Sequence, residues 1–345
     1  MVQSSPAAPP SLTSLYPAGG QRGAATEVAA SGTLDKATKL WSSGKGVHVE
    51  PGKEIGKFSV KVAADAVPGT YWLRAYNGDG ASTLRPFIVG TMPELLETEP
   101  NDDAKKPQKL EASAVVVNGK LAKAGDVDCF AIAAKKGQTL VASVEANRTL
   151  KSPMDGVLQI VSADGFVLDQ NHDYHGLDPQ IAYTAPRDGT YVVRLFAFSA
   201  IPEANVRFAG GETYIYRLTI TAGGFLDRTM PLAIGTNARS VTALGWNIPD
   251  EARTIAPVQS QRGDAFATAF HPKLANAFRV RVEKHPIVLD VKEAAAPPFS
   301  TSQVIARPRS EASVPFLGKK GRPLAVQVES RSLGLALDPV VRIVD

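Results

Sequence analysis

The chain has 345 residues, 44% of them hydrophobic and 21% charged, enough apolar material for compact cores and two to four domains at roughly 100–200 residues each. A net charge of +4 scattered among both signs makes nucleic acid a poor partner, and no run of about 18 apolar residues is present to span a membrane. The single cysteine, Cys129, excludes an internal disulfide and reads as a small buried hydrophobe in a strand.

Twenty-nine Gly and 25 Pro punctuate short apolar runs, the pattern of an all-β protein with many turns. Residues 1–10 are small, polar and Pro-rich and are expected to form a disordered tail. They lack the basic and apolar regions of a signal peptide, so the chain reads as the start of a mature or excised segment. Residues 11–91 hold short strands. Phe58-Ser-Val-Lys-Val62 alternates apolar and polar with period two. Val67-Pro-Gly-Thr70 turns into the strand Tyr71–Tyr76, Asn77-Gly-Asp-Gly80 turns again, and Ser82–Val89 returns. This spacing suggests an immunoglobulin-like β-sandwich.

Residues 92–222 predict a second sandwich, with strands at Ala114–Val117, Asp128–Ala133, Thr139–Glu145, Gly156–Val161, Ile181–Thr184, Thr190–Phe196 and Thr213–Thr221. Turns fall at Lys135–Gln138, Ala163–Gly165 and Pro186–Gly189. The sequence then starts again. Lys135-Lys-Gly-Gln-Thr-Leu-Val-Ala-Ser-Val-Glu145 aligns with Lys319-Lys-Gly-Arg-Pro-Leu-Ala-Val-Gln-Val-Glu329, and Asp155–Val161 with Asp338–Val344. Upstream, Tyr16-Pro-Ala and Val28–Gly32 match Met230-Pro-Leu and Val241–Gly245. A duplicated two-module unit follows: a second immunoglobulin-like module over 223–292 and a partial second copy over 293–345. Counterparts of residues 163–222 are missing, so this last module is expected to be incomplete or a fragment.

The densest chemistry is Glu97-Thr-Glu-Pro-Asn-Asp-Asp103, followed by the pair Asp126 and Asp128. Carboxylate and amide oxygens are what Ca²⁺ takes, at roughly six to eight per ion. The same run also reads as a solvated linker, because exposed like charges about 4 Å apart repel by only ~1 kcal/mol in water. Asp169-Gln-Asn-His-Asp173 begins like an EF-hand loop, but Tyr174 and Gln180 stand where Gly and Glu are needed. It therefore reads as a polar loop. His172 and His175 alone make no zinc site. Among aromatics, Tyr71, Trp72 and Tyr76 share one strand, and Tyr214 and Tyr216 one strand face. Packing is the plain reading of both groups, and a flat platform for a fibrous protein or glycan the functional one. No metalloprotease, nucleophile-elbow or phosphate-loop motif occurs, so no enzyme is expected within the chain.

The ordered succession Glu-x-Glu-Pro-Asn-Asp102, Gly125-Asp-Val-Asp-x-Phe130, Lys135-Lys-Gly-Gln-x-Leu140, Ser152-Pro-Met-Asp155, Ala163-Asp-Gly165, Tyr183-Thr-Ala-Pro186 and Asp188-Gly-Thr-Tyr191 resembles the bacterial pre-peptidase C-terminal domain family. The resemblance covers about 97–222 and, partially, 314–345. It implies an all-β chain of tandem β-sandwiches, immunoglobulin-like plus jelly-roll-like, secreted or at the cell surface. It further implies a non-catalytic structural or adhesive module, or the accessory region of an extracellular peptidase whose catalytic domain lies outside this chain. The partner would be a matrix polymer, a glycan or a protein. Carried over residue by residue, the family's Ca²⁺ site names Glu97, Glu99, Asn101, Asp102, Asp126 and Asp128. In the second copy Ser310 and Ala312 replace the two aspartates, so that copy should lack the site.

Overall fold

The computed structural model describes residues 8–202, 204, 206–259, 264–335 and 337–344. Of the expected tail, residues 1–7 lie outside the described residues, and Pro10 is buried. The chain is all-β and falls into two compact units, Met1–Gly223 and Gly224–Asp345.

The first unit begins with strands β1 (Ser14–Tyr16), β2 (Gly19–Gln21), β3 (Ala25–Ser31), β4 (Lys39–Ser42), β5 (Val47–Pro51), β6 (Lys57–Val62), β7 (Gly69–Asn77), β8 (Gly80–Ala81) and β9 (Arg85–Gly90). They form two sheets, β1-β3-β6-β5 and β2-β9-β7-β4, with β8 on β7. Period-two alternation sets the faces. On β6, Phe58, Val60 and Val62 are buried while Lys57 and Lys61 are exposed. These side chains meet Leu15, Val28, Leu73 and Phe87 in one core. The chain changes sheets at a cis Tyr16–Pro17 bond: β1 runs antiparallel to β3, and β2 runs parallel to β9.

The second sandwich comprises β10 (Glu94–Leu96), β11 (Gln108–Lys109), β12 (Ala114–Lys120), β13 (Asp128–Ala134), β14 (Thr139–Glu145), the single-turn helix α1 (Asn147–Leu150), β15 (Met154–Ser162), β16 (Val167–Asn171), β17 (Gln180–Thr184), β18 (Gly189–Ser199) and β19 (Ile215–Thr221). Its sheets run β10-β12-β19-β14-β17 and β11-β13-β18-β15-β16. Phe130, Ile132, Leu140, Leu158, Val193 and Leu218 are among the side chains packed between them. The segment Asp169–Asp173, expected as a loop, instead lends Asp169–Asn171 to the edge strand β16, because pairing with β15 continues past a bulge at Ile160/Val161.

On β19 every residue is buried, where a sheet strand with one solvated face would alternate. The inner face carries Tyr216, Leu218 and Ile220 into the core. The outer face meets the first sandwich: Ile215 packs with Ala18, Ile88 and Leu150. Arg217 lies so close to Gly19 that a Cβ there would stand 2.5 Å from its Nε.

The second unit has β20 (Phe225–Met230), β21 (Ala233–Ile234), β22 (Val241–Trp246), β23 (Thr254–Ile255), β24 (Phe266–Ala269) and β25 (Phe278–Val282), in sheets β20-β22-β23 and β21-β25-β24. It repeats the opening move of the first unit. β20 is antiparallel to β22, a cis Met230–Pro231 bond follows, and β21 then runs parallel to β25. Tyr16-Pro and Met230-Pro thus occupy the same structural corner. Trp246 packs its ring 6.1 Å from Phe225.

From residue 293 on, no strand forms among the described residues; an isolated bridge joins Ala295 to Phe316 and a 3₁₀ turn spans Arg331–Leu333. Leu324, Val326 and Val328, the counterparts of the β14 apolar positions, are 41–51% exposed. In the first copy β14 lies between β17 and β19, and β15 between β16 and β18. Among the described residues no strand pairs with Leu324–Val328 or Asp338–Val344, so the repeated pattern has neither a ladder nor a facing sheet there.

Candidate metal centre

Strand β10 delivers the acidic segment to the mouth of the second sandwich. Glu97 N–H donates to Asn118 O at 3.0 Å, and Thr98 N–H to Gln108 Oε1 at 2.7 Å. The chain then turns through a cis Glu99–Pro100 bond, and Asn101 N–H donates back to Glu99 Oε2 at 3.0 Å. Cys129 N–H donates to Asn101 O at 3.1 Å, which seats the segment against the start of β13. On the other side, Gly125 at φ +88 makes a turn that favours glycine, and Asp126 N–H closes it on Lys123 O. Asp126 and Asp128 are then 1% and 0% exposed.

Two groups of acids result. Ligand oxygens of Glu99, Asp102 and Asp126 all lie within 4.8 Å of one another. Deeper in, the Tyr216 hydroxyl is 2.6 Å from Asp128 Oδ2 and 3.0 Å from Glu97 Oε2. One hydroxyl has one proton to give. It serves one carboxylate at a time, and the other contact needs a proton on the carboxyl itself. Glu97 Oε1 also accepts Lys120 N–H at 2.8 Å and stands 3.5 Å from the Tyr16 hydroxyl of the first sandwich. Asp103, outside the expected set, caps Lys105 N–H at 2.9 Å.

The electrostatics are those of uncompensated negative charge. Burial, first, raises the carboxyls of Glu97, Asp126 and Asp128 above the ordinary range, and neighbouring carboxylates push them further. Burial and the same carboxylates hold the Tyr16 and Tyr216 hydroxyls above theirs. The cation paired with Asp126 is Lys123, whose Nζ is 4.0 Å away on a side chain 70% exposed, a weak counterweight. Asn101 Oδ1 and Nδ2, Asp126 Oδ1 and Asp128 Oδ1 are buried without a hydrogen-bond partner. Buried polar atoms left unpaired are costly, and oxygens are what a hard cation accepts. The donor set and its orphaned oxygens fit such an ion.

Sequence reasoning did not find Tyr216, Tyr16 or Gly119. A Cβ at Gly119 would stand 2.1 Å from the Tyr216 hydroxyl oxygen and 2.4 Å from Glu97 Oε2, so glycine is what lets the two meet. The expected aromatic groups divide. Tyr216 is core and Tyr214 packs on it. Tyr71 points inward, whereas Trp72 and Tyr76 are exposed. His172 pairs with Asp173 at 2.8 Å on the surface.

These tandem sandwiches with an acidic mouth carry a recognisable domain. Residues 126–197 match the bacterial pre-peptidase C-terminal domain. The match begins at Asp126, so the Glu97–Asp102 segment lies outside it. A probable subtilase-type serine protease of Deinococcus radiodurans is 26% identical over 140 residues, 39% of this chain and 19% of that protein. The chain thus spans about a fifth of that curated relative. Among solved structures, similarity extends to the pre-peptidase C-terminal domain of a Bacillus anthracis collagenase (TM-score 0.26, 11% identity, 36% of this chain and 100% of that one). It also extends to SGBP-B from a xyloglucan utilization locus in Bacteroides uniformis (TM-score 0.20, 12% identity, 61% and 73%).

Proposed function

We propose that the chain is a non-catalytic accessory segment of an exported bacterial protein, stapled by Ca²⁺ at the mouth of its second sandwich. The observation that carries the cation is the meeting of Glu99, Asp102 and Asp126 oxygens beside the orphaned oxygens of Asn101, Asp126 and Asp128. Glu99, Asp102 and Asp126 would hold the ion, with Asn101 and the Glu97–Asp128 pair completing the oxygen set. The ion supplies positive charge where burial has left carboxylates facing one another. By binding only the folded form it stabilises that form by mass action. It also ties the segment after β10 to the turn before β13, closing the sandwich mouth.

The parent protein is best read as an extracellular peptidase. The stretch shared with a probable subtilase-type protease favours this over a free-standing adhesin, the other use of such modules. In either setting the segment spaces, anchors or binds, and function sits in sites rather than in the fold.

Calorimetric titration with Ca²⁺, on the chain and on Glu99→Ala, tests the cation. Heat and a raised melting temperature in the first, reduced in the second, are expected; neither effect in the wild type overturns the reading. Purified chain should leave a fluorogenic casein uncut. Cleavage abolished by a serine-protease inhibitor would overturn the non-catalytic assignment.

A further inference from the structure

The sheet β2-β9-β7-β4 has one face in the core of the first sandwich and one turned outward. Along β7, Tyr71, Leu73 and Ala75 are buried while Trp72, Arg74 and Tyr76 are exposed. On β4, Leu40 is buried while Lys39 and Trp41 are exposed. The register sets Trp41 opposite Arg74 and Lys39 opposite Tyr76. Trp41, Trp72 and Tyr76 are 50%, 37% and 41% exposed. Trp41, Arg74 and Tyr76 line a depression of about 320 Å³.

Two further facts make this more than scattered exposure. The other end of the same face is covered, because Ile88 on β9 packs with Ala18, Leu150 and Ile215 where the two sandwiches meet. The aromatic end is the part that this contact leaves bare, and grouped exposed apolar surface marks an interaction site. Second, the outward positions of β4 and β7 are Lys39, Trp41, Thr70, Trp72, Arg74 and Tyr76, with two cations and no acid.

We propose that the outer face of β4 and β7 binds an anionic polysaccharide, with sugar rings on the aromatics and carboxylates on Arg74 and Lys39. The face of an aromatic ring is negative and attracts the weakly positive C–H groups on one side of a pyranose. A guanidinium grips a carboxylate through two parallel hydrogen bonds. Directly opposed positions on paired strands lie ~5 Å apart, so ring and cation can serve one sugar residue. Trp72 and Tyr76, four residues apart on one strand, are separated by ~13 Å, which suits an extended chain rather than one monosaccharide. A neutral glycan would leave the two cations unused, and a polyanion without rings would leave the aromatics unused. The site lies on the first sandwich and does not depend on the acidic centre of the second.

The test is affinity electrophoresis of the full chain in EDTA through gels holding polygalacturonate, a neutral β-glucan or poly-glutamate. Expected is retardation by polygalacturonate, at least tenfold tighter than by either other polymer. Trp41→Ala and Trp72→Ala should each weaken it at least tenfold, and Arg74→Met should bring polygalacturonate down to the level of the neutral glucan. Unchanged circular dichroism and melting show that these surface variants fold; if one fails that check, Arg74→Met and Tyr76→Ala decide in its place. No retardation by polygalacturonate overturns the proposal. So does equal retardation by poly-glutamate, which means charge alone, or by β-glucan, which means rings alone. A concentration-dependent dimer in sedimentation that Trp41→Ala abolishes would assign the face to a second copy and overturn it as well.

Discussion

Replacing Asp126 by Asn should reverse its effect on stability according to whether Ca²⁺ is present. The Asp126 carboxylate lies within 4.8 Å of the Glu99 and Asp102 oxygens. Two like charges at that distance repel by ~1 kcal/mol in water-like surroundings and by ~3 kcal/mol at the effective dielectric of a protein surface. Asp126 is 1% exposed but both its partners are exposed, so each pair lies at the water-like end of that range and the two together amount to ~2 kcal/mol. An Asn amide keeps an oxygen for the Ala122 N–H that Asp126 now accepts. It also turns a donor toward the two carboxylates. In EDTA, Asp126→Asn should therefore stabilise the fold by about 2 kcal/mol. With Ca²⁺ at 100 times the wild-type dissociation constant, the wild type gains ~2.7 kcal/mol and the variant gains little, so the order inverts. The assay is paired thermal and urea unfolding of both proteins in EDTA and in Ca²⁺. At ~2–4 °C per kcal/mol, the wild-type shift on adding Ca²⁺ should be about 5–10 °C. A variant less stable than wild type in EDTA, or a wild type whose transition ignores Ca²⁺, refutes the reasoning.

The pH dependence should have the sign set by the raised carboxyls of Glu97, Asp126 and Asp128. Their folded forms hold protons more tightly than the unfolded chain, so in EDTA the urea midpoint should rise as pH falls from 8 toward about 4. Ca²⁺ competes with those protons, so saturating Ca²⁺ should flatten or invert the trend; a midpoint in EDTA that falls on acidification contradicts the account. Arg217→Met strands Glu94 and Glu145, its two ion-pair partners, and should cost about 3–5 kcal/mol by urea titration, with part recovered on adding Glu94→Gln. The Cys129 thiol is fully buried and pushed up to about 12 by that burial; it should resist a disulfide-exchange reagent at pH 8 in the native chain and react once in urea.

Strands with a strong internal pattern were legible in the sequence. β14 forms over Thr139–Glu145, the residues expected, and β13, β15 and β18 extend their expected spans by one to four residues. β10, β11 and β16 were not legible, because two to five residues at a sheet edge are defined by the neighbour they pair with. The acidic half of the centre announced itself in composition. Its tyrosine half could not, since Tyr216 and Tyr16 stand 119 and 81 positions from Glu97, and only the closure of the sheet brings them together. The repeat shows the converse limit. Met230-Pro takes the corner that Tyr16-Pro takes, because its partner strands β22 and β25 are present, whereas the echo of β14 after Lys319 has no strand beside it among the described residues.

The joint between the first two sandwiches has a mechanical consequence. Only residues 91–93 separate β9 from β10, Arg217 is clasped by Glu94 and Glu145 against Gly19, and Ile215 and Ile88 close the seam. Such a seam leaves no slack of the kind a flexible linker has. Whatever the first sandwich grips is therefore presented to the second at a fixed bearing and distance. The gain in local concentration is then governed by geometry rather than by tether length, and lengthening 91–93 would convert a lever into a leash.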